Sequence, residues 1–309
     1  MAAYLIRRLL QAIPVLFLVS VAVFSILYIV PGDPATLMTA ETGASAEAIA
    51  KLRAELGLDQ PAHVQYYRFI SNAIRGDLGK SIYTGRSVKG EVLANLPATL
   101  ELALAGALVA IIIGMISGIV AAIHQNTWVD AATMTVALFG ISMPIFWSGL
   151  MLIFLLGVKL HWLPITGQGG LARLVMPALA LGFASSGTTA RLTRSSMLEV
   201  LRQEYMTTAR AKGLRERTTI IRHGLRNALI PVVTMIGLQL GSLLGGTVIV
   251  ETVFARQGLG AMTVNAIMFK DFPLVQGTIL FSAVLYMAMN LLVDVLYTFI
   301  DPRIRVSAA

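Results

Sequence analysis

Few side chains of this sequence have the type and spacing that chemical catalysis requires. Gly79-Lys80-Ser81 ends like a phosphate-binding loop, but that motif requires another glycine five positions before Gly79, where Ile74 stands. We therefore interpret the triplet as a chance match and expect this chain neither to bind nor to hydrolyse ATP.

Nucleophiles and metal ligands are equally sparse. Four serines lie in apolar stretches without a nearby membrane histidine or acid to activate them, which argues against an intramembrane hydrolase: Ser20, Ser25, Ser142 and Ser148. The histidines at 63, 124, 161 and 223 are scattered, and the absence of cysteine excludes disulfides and thiolate metal sites. We expect no catalytic residue, cofactor or metal on this chain.

Composition places the chain in a membrane. Of its 309 residues 56% are hydrophobic and 13% charged, against about 25% charged residues in soluble domains. The net charge is +8, but the basic residues lie between apolar runs. This pattern favours anionic lipid as their neighbour rather than nucleic acid.

Charge-free windows predict an all-α polytopic protein with six transmembrane helices. Each window approaches or exceeds the roughly 20 residues that cross a bilayer: Leu9–Val30, Leu102–Ile123, Ala131–Val158, Leu174–Ala190, Asn227–Val250 and Phe272–Val293. The first is too long for a signal peptide and is interpreted as a retained anchor. The fourth, at 17 residues, is the shortest, so we expect it inside the helix bundle.

Basic residues predict the orientation and the domain plan. With both termini in the cytoplasm, the inner flanks and loops hold thirteen Lys and Arg residues, nine of them between Arg191 and Arg226. We predict an anchor helix with an extracytoplasmic segment over 1–94, a permease domain over 95–298 with a cytoplasmic loop at 191–228, and a cytoplasmic tail over 299–309. The outer segment contains two predicted helices, Ala46 to Leu56 and Gln65 to Ile74, that either contact a delivery protein or brace the bundle.

The basic inner segment is the most informative stretch. Glu204 to Gly213 predicts a short helix that ends at a glycine, and a second basic helix is predicted from about Glu216 toward Asn227. Such a pair forms either a lipid-bound loop of the positive-inside type or a knob that docks on another protein. Composition alone favours the lipid interpretation.

A series of motifs resembles the dipeptide, oligopeptide and nickel branch of ABC importer permeases. The basic segment is similar to the EAA loop of that family in Thr208-Ala-Arg-Ala-Lys-Gly-Leu214 and His223-Gly-Leu-Arg-Asn-Ala-Leu-Ile-Pro231. Further matches follow in order along nearly the whole chain: Tyr4 to Arg8, Pro31-Gly-Asp-Pro34, Leu56-Gly-Leu-Asp-Gln-Pro61, Gly76-Asp-Leu-Gly79, Leu96-Pro-Ala-Thr-Leu-Glu-Leu102, Gly140-Ile-Ser-Met-Pro144, Trp162-Leu-Pro164, Gly245-Gly246 with Glu251, and Asp301-Pro-Arg-Ile304.

The resemblance implies a type I ABC importer permease fold and a function in transport across a bacterial inner membrane. It implies a second homologous permease, two cytoplasmic ABC ATPase subunits and an extracytoplasmic binding protein as partners. Small peptides are the leading solute class, and glutathione, nickel complexes and opines are also carried by this branch. ATP-driven closure of the ATPase pair would move the knob and switch the permease between inward-open and outward-open states.

The resemblance also assigns the coupling residues. These are Thr207, Thr208, Ala209, Arg210, Ala211, Lys212, Gly213 and Leu214. Thr207 stands where sugar-importing relatives have glutamate, and Arg226 follows Leu225 where they have proline, so the resemblance implies docking but does not assign the charge pairs with the ATPase. Gly213 would form the tight turn, and Arg210 and Lys212 would offer exposed positive charges.

Small and polar residues in the spans suggest packing and pathway positions. Gly237, Gly241 and Gly245 recur every four residues in the fifth span, a spacing that allows close helix approach, and the resemblance places that helix along the pathway. Gly114 and Gly118 are interpreted as packing within the bundle. Pro144 is expected to break the third span.

Acidic residues near the ends of the spans are interpreted as structural. Glu101 and Glu251 are expected to lie at the membrane interface, and Asp294 is expected to form a structural ion pair. The alternative function, a self-sufficient secondary transporter, would favour inverted repeats and buried coupling-ion ligands, and we see neither.

Overall fold

The computed structural model describes residues 2–29, 35, 36 and 45–300, and its regular structure is helical. One isolated antiparallel bridge, Lys80 with Ser87, is the sole β pairing within these ranges. The helices are α1 (Ala2–Ile29), α2 (Ala46–Leu56), α3 (Ala62–Ile74), α4 (Val88–Ile123), α5 (Trp128–Ser142), α6 (Ile145–Leu152, continued by a π-helical turn Ile153–Lys159), α7 (Leu171–Leu201), α8 (Glu204–Ala211), α9 (Glu216–Thr218, continued by a π-helical turn Thr219–Leu225), α10 (Arg226–Val253), α11 (Leu259–Met268) and α12 (Phe272–Ile300).

The prediction of an all-α polytopic membrane protein is confirmed. Within the described part of the chain, five helices are long and apolar enough to cross a membrane, and α5 with α6 makes a sixth crossing if the bent pair counts as one span. The predicted motifs at 31–34 and 301–304 lie outside the described residues. The domain boundaries at 94/95 and 298/299 stay predictions.

The chain divides into two compact units. The first comprises residues 1–98 and 257–288. Its core contains Val88, Val92, Leu259 and Val275. In this unit α3 is braced on α1, because the Tyr66 hydroxyl lies 2.8 Å from Ser20 Oγ. α3 therefore packs on the first span, and contact of this segment with a delivery protein stays a prediction.

Asp271 organises the loop that follows α3, also within the first unit. Its carboxylate accepts hydrogen bonds from Ser81 Oγ at 2.5 Å, from Ile82 N at 3.1 Å and from Leu274 N in the first turn of α12 at 3.3 Å. Asp271 is 2% exposed and Ser81 3%. The loop is therefore held by a buried carboxylate that also caps a helix.

The second unit, residues 99–256 and 289–309, is built around α7. This helix packs against α10, α5 and α6 and buries fourteen residues. Its small residues allow close contact: an added Cβ at Gly118 would lie 2.5 Å from Ala190 O, and one at Gly182 would lie 2.6 Å from Gly106 O. The expectation that the fourth span lies inside the bundle is confirmed.

Two predicted spans differ from the helices that form. α7 does not end near Ala190 but continues through Arg191 and Arg194 to Leu201. The third span is two helices bent by 108°. The break falls at Pro144, which has no N–H to donate and caps the N-terminus of the second helix.

Candidate functional site

The basic segment folds into a compact protrusion, here called the knob, over residues 202–225. Its first helix, α8, ends at Ala211, and Gly213 follows with φ of +77°, a conformation that favours glycine. The predicted helix and its glycine stop are confirmed. Seven of the eight predicted coupling residues are exposed, and Ala209 alone among the eight is buried.

A hydrogen bond ties the knob to α10, and a buried methionine packs its two strands of chain together. Asn227 Nδ2, in the first turn of α10, donates to the Tyr205 hydroxyl at 3.0 Å. Met206 is fully buried and contacts Gly224, where an added Cβ would lie 3.3 Å from Met206 Cε. A side chain at residue 224 would crowd this methionine, which gives the glycine a packing role.

An ion pair closes the turn of the knob. Arg210 Nη2 donates to Glu216 Oε1 at 3.0 Å, and Arg210 Nε donates to Oε2 at 3.1 Å. The carboxylate raises the pKa of the Arg210 guanidinium further above its ordinary value. Sequence reasoning expected Arg210 to offer its charge to a partner, but the structure gives it an internal acid. Lys212 and the 40%-exposed Leu214 remain at the tip.

The second basic helix is not separate from the fifth span. The segment from Glu216 runs without a break to Val253, through the π-helical turn at 219–225. Such turns widen the helix and often mark functional positions. The knob is thus continuous with a membrane helix on this side. On the other side only Arg202 and Gln203 separate α7 from α8.

A bidentate ion pair joins α5 to α7 beside the knob. Arg194 Nε donates to Asp130 Oδ1 at 2.7 Å, and Arg194 Nη2 donates to Oδ2 at 2.6 Å. The Asp130 side chain is 7% exposed, and Asn126 N donates a further hydrogen bond to it. Sequence reasoning missed this pair, because the partners are 64 positions apart.

The glycine series of α10 does not share one environment. Gly237 and Gly241 are buried, whereas Gly245 is exposed and an added Cβ there would meet nothing within 4 Å. A spacing of four residues advances about 40° beyond a full turn, so the third glycine faces a different direction. Gly114 and Gly118 pack against α7, as predicted.

Glu251 corrects an expectation from the sequence. It is fully buried and accepts a hydrogen bond from Thr99 Oγ1 at 2.7 Å, so it does not lie at an exposed interface. Glu101 is about half exposed and forms an ion pair with Arg256 at 3.0 Å. Asp294 is 9% exposed.

Over the described ranges no group of three or more potential metal ligands occurs.

These features define a class of protein: a helical membrane subunit whose bundle carries a basic protruding knob. Residues 110–306 match the family model "Binding-protein-dependent transport system inner membrane component", and residues 1–103 match the model of its N-terminal region. This chain belongs to that family. It is a permease subunit of an ABC importer, and ATP hydrolysis resides on separate chains.

Curated relatives cover the whole chain. The "Glutathione transport system permease protein GsiC" of Escherichia coli strain K12 is 46% identical over 305 residues, which is 99% of each chain. The proteins of the same name from Escherichia coli O6:H1 strain CFT073 and Shigella dysenteriae serotype 1 show the same identity and coverage. The resemblance to the peptide-importer branch is confirmed at the level of the family.

Solved structures support the fold. An inward-facing form of the MetNI methionine ABC transporter aligns with a TM-score of 0.54 at 17% identity, over 68% of this chain and 96% of that chain. An amino acid ABC transporter crystallised with histidines aligns with a TM-score of 0.52 at 14% identity, over 69% of this chain and 94% of that chain. Membership of the ABC importer permease family, rather than these structures, implies ATPase subunits and a binding protein as partners of this chain.

Proposed function

We propose that this permease forms half of an import pathway for small peptides of the glutathione type. The 46% identity to glutathione permeases over nearly the full length supports this solute class. In this proposal the other half is a second, homologous permease. Solute arrives on an extracytoplasmic binding protein, and neither cofactor nor metal acts on this chain.

The knob is the proposed contact with the ATPase subunits. This assignment depends on one observation: the tip of the knob is exposed, and the part of the knob nearest the bundle is packed. Lys212 to Leu214 are exposed, while Met206 is fully buried. Such packing lets the knob move as one body with α7 and α10 when the ATPases close. The ion pair of Arg210 with Glu216 supports the same conclusion, because it restricts the motion of the turn that would contact the ATPase subunits.

The proposed orientation places the knob and both termini in the cytoplasm of the inner membrane. The excess of Lys and Arg in residues 191–226 supports this orientation, since basic loops stay inside. Exposed arginines of the segment would also contact anionic lipid headgroups. The loop around Ser81 would then lie outside.

The test is uptake by the complete complex in proteoliposomes. We expect glutathione uptake that requires ATP, both permeases, the ATPases and the loaded binding protein. Omission of any one component is expected to abolish uptake, because ATP hydrolysis and solute capture reside on other chains. Uptake by this chain alone, driven by a proton gradient, would instead indicate a secondary transporter.

A further inference from the structure

The exposed side of α7 is polar over the half of the helix that leads to the knob. Ser185 and Thr188 are half-buried there, and Arg191 and Ser195 are exposed. Steps of three, three and four residues keep these four side chains on one face of an α-helix. We call this row the polar stripe.

A lipid-facing helix of the same unit shows the opposite pattern. Beyond Glu101 at its outer part, the exposed residues of α4 in this unit are all aliphatic: Leu104, Leu108, Ile112, Ile116 and Ile123. Hydroxyl and guanidinium groups in contact with lipid tails lose their hydrogen bonds, so such groups in membrane helices face water or protein. The polar stripe therefore does not face lipid tails.

The depth of the stripe places part of it within the membrane. The uncharged stretch of α7 from Leu174 to Ala190 has 17 residues and spans about 26 Å, less than the roughly 30 Å of a hydrocarbon core. Arg191 therefore lies at the edge of the core, with Thr188 and Ser185 deeper. Glu199 and Arg202 continue the same face toward the knob.

α10 extends this polar surface. Gln239 Nε2 donates to Ser185 O at 3.4 Å, and Gln239 Oε1 accepts from Thr189 Oγ1 at 3.0 Å. Ser242 is exposed one turn further along, and Gly245 leaves open space beside it. A shallow depression of about 300 Å³ on α5 is less suitable for a polar solute, because its lining is mostly apolar: Met134, Thr135, Leu138, Phe139 and Ser142.

Arg191 is the one cation of this surface at the membrane edge. Its guanidinium forms no hydrogen bond or ion pair with the residues that the structure describes, in contrast to Arg194, which is paired with Asp130. A guanidinium binds a carboxylate through two parallel hydrogen bonds. We propose that the polar stripe lines the solute pathway and that Arg191 binds a carboxylate of the passing solute. This inference rests on the proposed function.

The lining is tested by cysteine labelling, for which the chain is suited because it has no cysteine. Thr188→Cys and, as the lipid-facing control, Leu108→Cys are introduced singly into the reconstituted complex. A water-soluble maleimide is expected to modify Thr188→Cys at least tenfold faster, and saturating S-methylglutathione, which has no free thiol to consume the maleimide, is expected to slow that reaction in the presence of the binding protein and ATP. Equal labelling rates would overturn the lining assignment.

The carboxylate contact is tested by a charge series at Arg191. Glutathione uptake is expected to fall in the order Arg, Lys, Gln and Glu, with a loss of about tenfold or more for Arg191→Gln, the usual effect of removing hydrogen bonds to a charged group. Arg75→Gln removes the same charge from another exposed arginine and is expected to transport normally. Co-purification of the ATPases with each variant separates transport loss from assembly loss.

The outcomes separate the two proposals. If the wild-type complex fails to import glutathione with ATP, the proposed function itself is wrong. If the wild type imports and Arg191→Gln matches it, or if Gln and Glu variants are equal, the carboxylate contact is wrong. If the loss occurs only in vesicles that contain phosphatidylglycerol, Arg191 binds headgroups instead of solute.

Discussion

Arg194 of α7 holds Asp130 of α5 through two parallel hydrogen bonds of 2.7 and 2.6 Å. The two residues join the helix that leads into the knob to the first half of the bent pair. Because the Asp130 side chain is 7% exposed and Arg194 28%, loss of either partner leaves a charge in a poorly solvated place. The pair therefore ties α5 to any movement of α7.

Disruption of this pair is expected to uncouple hydrolysis from transport. Asp130→Asn and Arg194→Gln should each destabilise the permease by about 2 kcal/mol, and should raise the ratio of ATP hydrolysed to glutathione imported. The measurements are thermal unfolding in detergent and paired ATPase and uptake assays. Exchange of the charges, Asp130→Arg with Arg194→Asp, should recover part of the coupling. Equal loss in the exchange variant and the single variants would contradict a role for the pair itself.

Close helix packing gives a prediction with a matched control. Gly118→Ala places a methyl group 2.5 Å from both Ala190 O and Thr193 Cβ, and should cost about 1–3 kcal/mol through overpacking. Gly245→Ala, where the Cβ meets nothing within 4 Å, should leave the thermal unfolding midpoint of the purified permease nearly unchanged. A decrease of similar size in both variants would contradict the role of the contact with α7, because alanine has the higher helix propensity and a site with open space should not lose stability.

Substitutions at Gly213, in the turn of the knob, test whether the knob contacts the ATPase subunits. Gly213 has φ of +77° and open space around it, so Gly213→Ala should strain the backbone by about 1 kcal/mol without a clash. Gly213→Trp should in addition cover the tip and prevent co-purification of the ATPase subunits, while the permease still inserts. Gly85→Trp is the control, because Gly85 also has positive φ and open surroundings but lies far from the knob in the sequence. Normal assembly of Gly213→Trp would remove the docking assignment.

The buried carboxylate of Asp271 makes a prediction about the loop before α4. Asp271→Ala leaves three donors without their acceptor, on Ser81, Ile82 and Leu274, and each buried loss costs about 1–3 kcal/mol. Amide hydrogen exchange in residues 77–87 should accelerate strongly. Asp77→Ala, which removes an exposed acceptor of Gly79 N in the same loop, should have a much smaller effect. Unchanged exchange in Asp271→Ala would show that other contacts hold the loop.

The sequence allowed accurate predictions where the signal is local. α2 begins and ends as predicted, since the Ser45 hydroxyl caps its N-terminus and Gly57 adopts the left-handed conformation at its C-terminus. The glycine stop of the knob is of the same kind. The apolar windows located the membrane helices, because their length and composition alone are sufficient for that purpose.

Predictions failed where a distant partner changes the meaning of a residue. The end of α7 was misplaced because the charge-free window stops before Arg191, whereas the helix continues with Arg191 exposed and with Arg194 paired to Asp130, 64 positions earlier. Glu251 was predicted at the membrane interface because it lies near the end of a span. In the structure it is buried, and Thr99, 152 positions earlier, donates a hydrogen bond to it. No periodicity or composition encodes such pairs. The ion pair of Arg210 with Glu216 was also missed. These residues are close in the sequence, but they meet only because the turn between them brings their side chains together.

The unbroken length of α7 has a mechanical consequence. Its 31 residues extend about 46 Å, and a rigid rod of that length acts as a lever. A tilt of about 10° around its midpoint displaces either end by roughly 4 Å, enough to open or close a gap the width of a small solute group. α7 is one continuous helix whose interior proline, Pro177, lies near its start, so we expect most of the deformation to fall on its neighbours and the 108° bend at Pro144 to absorb it.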